Sequence, residues 1–195
     1  MAQWEAYSWL GVSATSPLAC AVLCGCLALI RSFRKNWRSL DLLLVAVLST
    51  LGIRVMLVGA WGVLKLARPF GLHCKVMLGA MTSVATLQLT ALTSLVVDRA
   101  LTIKWPYRYR MAARRTHVVY HLVVLVIVSV LVGVAGILAL PASAFDGSFA
   151  TCSFIPFELD VKYSALNFAV QGGLLAVIFL SSIYIQVNKH SVQLL

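Results

Sequence analysis

Five long apolar runs constrain this chain more than any other feature. They cover residues 6–30, 42–64, 76–97, 122–145 and 163–187. About 20 apolar residues in helical form cross the hydrocarbon core of a bilayer. No water reaches backbone N–H and C=O groups there, so a spanning segment must satisfy them within itself, and a helix does so. The expected fold class is all-α: a polytopic transmembrane helical bundle in a single domain, 1–195. Helices are expected at about 6–32, 40–65, 72–104, 117–141 and 161–188. Basic loops at 31–39 and 104–116 and a longer loop at 142–160 join them. Four of the runs hold no charged residue, and the second holds only Arg54. The first run is longer than a secretory h-region and has no basic flank before it, so it reads as a true helix.

Composition agrees with the runs. Of the residues, 61% are hydrophobic and only 11% are charged, against about 25% charged in soluble domains. A net charge of +10 could suggest a nucleic-acid partner. The cations gather between the apolar runs, however, as they do in cytoplasmic loops, so no nucleic acid is expected. Eleven Lys and Arg fall on one side: Arg31, Arg34, Lys35, Arg38, Arg99, Lys104, Arg108, Arg110, Arg114, Arg115 and Lys189. The other side has Lys65, Arg68, Lys75 and Lys162, diluted by Glu5, Asp146, Glu158 and Asp160. The positive-inside rule then puts the N-terminus outside and the C-terminus in the cytoplasm. A multi-pass protein of the plasma membrane, surrounded by membrane lipids, is the expectation.

Two groups of side chains could suggest a metal. Cys20, Cys24 and Cys26 lie in the first run, and His117 and His121 stand four apart at the start of the fourth. A bilayer helix offers the cysteines no further polar ligands, so they read as small packing residues. A histidine di-metal centre needs several such pairs, and the remaining histidines are only His73 and His190. No cofactor, metal site or enzymatic activity is expected.

The third run ends in Asp98-Arg99-Ala100, and Pro106-Tyr107 follow in the basic loop. Charges at a helix exit are costly unless paired or functional. Cys74 lies 24 residues before Asp98, and Pro106 lies eight after it. This register resembles the third helix and second intracellular loop of rhodopsin-like (class A) G-protein-coupled receptors. The chain is similar to a divergent or orphan member, truncated after its fifth helix. The resemblance implies transmission of an extracellular ligand's signal to a heterotrimeric G protein. It implies that Asp98 pairs with Arg99 at rest, that Arg99 then faces the G protein, and that Pro106 and Tyr107 form the loop contact. It also implies a disulfide from Cys74 to Cys152, the two cysteines placed on the outer side.

The resemblance further locates a ligand cavity. Met81 stands where amine receptors carry an aspartate, so the usual amine mode is excluded, and the ligand stays an unknown small molecule, lipid or peptide. Met81, Thr82 and Ala85 would line a modest, mostly apolar pocket. Leu51 and Gln88 replace the residues that would hold a sodium ion. Arg54 lies about 20 Å along its helix from Asp41, at the depth of that cavity. It either receives an acidic ligand group or snorkels to the outer headgroups. Two other functions stay open. One is a truncated receptor that associates with full-length ones without signalling. The other is a small membrane transporter, which would require an internal repeat or reactive constellation that the sequence does not display.

Overall fold

A computed structural model describes residues 3–33, 39–67, 72–105, 115–138 and 161–193. Among the described residues all regular structure is helical. Helix α1 is Gln3–Phe33, α2 Ser39–Ala67, α3 Leu72–Lys104, α4 Arg115–Leu138 and α5 Val161–Gln193. Each contains a segment long and apolar enough to cross a membrane: Leu10–Ile30, Asp41–Val63, Val76–Lys104, Thr116–Leu138 and Val161–Asn188. The expected bounds agree to within a few residues. The exception is α5, which runs on to Gln193 because residues 188–193 contain no glycine or proline to stop it. The expected continuation of the fourth helix to 141 and the loop 142–160 lie outside the described residues.

Pro17 sits inside α1 without ending it. A proline has no N–H, so the carbonyl four residues before it, on Ser13, loses its ladder partner. The Ser16 hydroxyl donates to that carbonyl at 3.1 Å. The orphan is thus satisfied inside the helix, as lipid requires. Ser16 is buried against Gly59 of α2: a Cβ built on Gly59 would lie 2.7 Å from the Ser16 Cβ. The Ser13 hydroxyl also donates weakly to the Gly59 carbonyl, at 3.4 Å. One small residue therefore admits both the proline repair and the α1–α2 contact. Ser16→Ala should destabilise the bundle by about 1–2 kcal/mol, the cost of losing one hydrogen bond at a packed, part-buried helix contact. Thr15→Ala should be near neutral, since the Thr15 hydroxyl donates to the carbonyls of Gly11 and Val12, which the helix ladder also serves. Thermal unfolding midpoints in detergent compare the two.

Helix α3 is the centre of the bundle. It packs against α2, α4 and α5, while α1 joins through α2. Ala91, in the middle of α3, is wholly buried. The helix is also rich in hydroxyls, and each is spent on its own backbone. Thr82 donates to the Leu78 and Gly79 carbonyls, Thr86 to Thr82, Thr90 to Thr86, Thr93 to Leu89 and Thr102 to Asp98, at 2.7–3.1 Å. This internal donation lets a helix with so many hydroxyls cross an apolar phase.

Small residues set the approach of α4 to α3. Lipid tails are as apolar as leucine, so membrane helices associate through close packing rather than hydrophobic exclusion. A Cβ on Gly133 of α4 would collide with the Ser83 hydroxyl and crowd the Gly79 carbonyl of α3, and a Cβ on Gly79 would meet Ile137. Helix α5 reaches across with Tyr163, whose hydroxyl donates to the Val132 carbonyl at 3.0 Å. Gly136 makes room for that ring, since a Cβ there would lie 2.7 Å from its hydroxyl. The outward faces of α4 and α5 expose Val124, Ile127, Leu131, Leu166, Phe168 and Phe179, as lipid-facing surfaces do.

Candidate functional site

A cavity of about 360 Å³ opens where α2 begins and α3 and α5 end. Helix α2 contributes Leu44, α3 contributes Leu95, Val96 and Arg99, and α5 contributes Ser182, Ile185 and Gln186. Spacings of three and four residues put each helix's contribution on one face. The lining is apolar apart from Arg99, Ser182 and Gln186, and the Ser182 hydroxyl is committed to the Ile178 carbonyl at 2.7 Å. Arg99 is exposed and has no polar partner among the described residues. Its guanidinium and the Gln186 amide are the groups left to bind a visitor.

The structure does not bring the Asp98 and Arg99 side chains together. Successive helical residues point about 100° apart. Asp98 turns into the bundle, where it is 8% exposed and engaged with another group, while Arg99 turns to the cavity. Among the described residues Arg99 therefore does not have Asp98 as a resting partner. Pro106, Tyr107 and Cys152 lie outside the described residues, as does the side chain of Cys74, so the expected loop contact and bridge are not visible. Cys20, Cys24 and Cys26 are free thiols.

The second set of polar side chains lies deeper. Arg54 of α2 donates through Nη1 to Oε1 of Gln88 on α3 at 2.8 Å. In sequence the two residues stand 34 apart, in separate spans, and nothing local joins them. Met81 and Ala85 precede Gln88 by seven and three residues, which places them on the same stripe of α3; both are half-buried. Thr82 lies on the neighbouring, buried face, and its hydroxyl is shared between two carbonyls of its own helix.

Another contact escaped the sequence. His121 Nε2 lies 2.8 Å from the Ser94 hydroxyl. The Ser94 hydroxyl also lies 2.9 Å from the Thr90 carbonyl, and the donor and acceptor roles in the His121–Ser94 bond follow the imidazole tautomer. This fixes α4 to α3 one helix turn before Asp98 and gives His121 a structural task. The matching small-residue pairs Gly79–Ser83 and Ser129–Gly133, each four apart, were a readable signal for the same interface.

Apolar spans, the backbone-paired hydroxyls of α3 and lipid-like outer faces define a multi-pass helical membrane protein. No protein-family profile and no curated protein matches the chain.

Proposed function

We propose that the chain is a receptor of the rhodopsin-like G-protein-coupled class. In this reading its N-terminus faces outward across the plasma membrane, and the cavity at the end of α3 receives an element of a heterotrimeric G protein. The carrying observation is Arg99: a cation at the mouth of an apolar cavity, exposed and unpartnered among the described residues. An apolar hollow with one planar cation suits a helix end, whose terminal carbonyls carry partial negative charge and lack partners. The basic loops flanking this end support a cytoplasmic side for it. The ligand acts from the opposite half of the bundle, along the Met81–Ala85 stripe. It shifts the cavity only in so far as it binds the two states of the bundle unequally.

Arg99→Lys separates coupling from anchoring. Lysine keeps the charge at the membrane surface but loses the planar fork. Expression and insertion should be unchanged. Basal nucleotide exchange by a purified heterotrimer on vesicles carrying the protein should fall roughly 10- to 100-fold, the size of one lost charged hydrogen-bonding contact. Equal exchange by the two proteins would defeat the coupling role.

A further inference from the structure

Arg54 poses a problem that the receptor reading does not solve. It lies nine residues before Val63, the outer end of its span, and thirteen after Asp41, the inner end. At 1.5 Å per residue these are about 13 Å and 20 Å. A guanidinium offers five N–H donors and no acceptor. Gln88 accepts one of them. No carboxylate among the described residues pairs with Arg54, and its side chain is exposed. A charge at such depth is expensive and is normally matched by an opposite charge.

Snorkelling does not relieve it. Side chains on a helix lean toward the helix N-terminus. For α2 that is the Asp41 end, the more distant of the two. The bond to Gln88 also holds the group sideways, across the α2–α3 seam, rather than along the helix. On the adjoining face of α2, Ile53 and Met56 are apolar and half exposed.

Nor do the described residues supply the missing anion. Glu5 falls outside the five spans, and Asp146, Glu158 and Asp160 lie outside the described residues. Asp98 is ten residues along α3 from Gln88, about 15 Å, and Asp41 is farther still. A second copy in the same membrane carries its carboxylates at the same wrong depths. A diffusible acid is the other source, but an amphiphile keeps its carboxylate at the headgroups, far from this level. A spanning helix carries an acidic side chain to any depth, because the rest of the helix anchors it.

We infer that the Arg54–Gln88 seam is the docking face for a further membrane-spanning helix, from outside residues 1–195, that bears an aspartate or glutamate at mid-depth. Its carboxylate meets the free edge of the guanidinium, and Gln88 fixes the orientation of the fork by holding Nη1. Half-exposed Ile53 and Met56, on the adjoining face of α2, extend the apolar surface that such a helix would cover. The acidic group that the sequence leads one to expect at Arg54 is, on this account, a side chain. The inference stands apart from the receptor reading, and neither depends on the other.

The test uses the whole chain in phosphatidylcholine nanodiscs. The probe is a leucine-rich transmembrane peptide of about 24 residues with one central Glu, its association read by energy transfer. The Glu peptide should bind roughly 5- to 30-fold more tightly than the same peptide with Gln, the range of a polar contact between membrane helices. The gain should vanish in Arg54→Gln, survive in large part in Arg54→Lys, and vanish when the Glu is moved to the last turn of the peptide. Unchanged helix content by circular dichroism shows that the variants still fold. Equal binding of the Glu and Gln peptides overturns the proposal. So does loss of the gain on adding equimolar oleate, which would point to a diffusible acid. Arg54-dependent self-association without peptide would point to a second copy and would overturn it as well.

Discussion

Gly133→Leu is expected to lower the stability of the bundle by about 3 kcal/mol, the upper range for overpacking a tight contact. A single Cβ at this position already collides with the Ser83 hydroxyl and crowds the backbone carbonyl of Gly79. The carbonyl cannot rotate away as a side chain can, so the two helices must separate. Separation at this level also strains the His121–Ser94 bond lower in the same seam. The effect belongs to the contact rather than to glycine itself. Gly172 and Gly173 of α5 meet nothing within 4 Å of a built Cβ. Gly172→Ala and Gly173→Ala should therefore be neutral or slightly stabilising, since alanine is the better helix former by roughly 1 kcal/mol. Steric-trapping or thermal unfolding in detergent gives all three values. Similar losses at 133 and 172 would show that α3 and α4 do not meet at Gly79 and Gly133.

Ser182→Trp is the second large effect, and under the proposed coupling role it falls on function rather than stability. Ser182 lines the cavity opposite Arg99, and its hydroxyl only returns to its own helix. An indole there fills the hollow without removing a charge or breaking a tie between helices. Nucleotide exchange by the heterotrimer should drop roughly 30-fold or more, equivalent to the 2 kcal/mol of a strong interface residue. Phe179→Trp, three residues earlier on an exposed face, should leave exchange unchanged. If both substitutions act alike, the cavity is not the docking place.

The fold was largely legible because membrane spans announce themselves by length and apolarity, and all five helices fall where the runs lie. The rotation of each helix about its axis was not. Where lipid and core are equally apolar, hydrophobicity does not say which face turns inward. Arg54 and Gln88 were both visible as polar interruptions, but only the rotation of α2 against α3 joins them. Asp98 and Arg99 illustrate the converse. Adjacent in sequence, they read as a pair, yet the helix turns them to a buried site and an open cavity. The cavity itself needed Ser182 and Gln186, two unremarkable polar residues near the end of α5, and nothing local marked them. Pro17 was visible, but its repair by Ser16 required knowing which hydroxyl lies over the orphaned carbonyl.

We propose that a G protein occupies the cavity beside Arg99. The most direct measurement places a photoreactive phenylalanine analogue at Gln186, on the cavity wall, in membranes that also hold the heterotrimer. Irradiation should attach the α subunit, the adduct should disappear when a non-hydrolysable GTP analogue dissociates the complex, and the same probe at lipid-facing Phe168 should give none. An adduct of equal yield at both positions, or no α-subunit adduct at Gln186 in membranes where the complex forms, would contradict it.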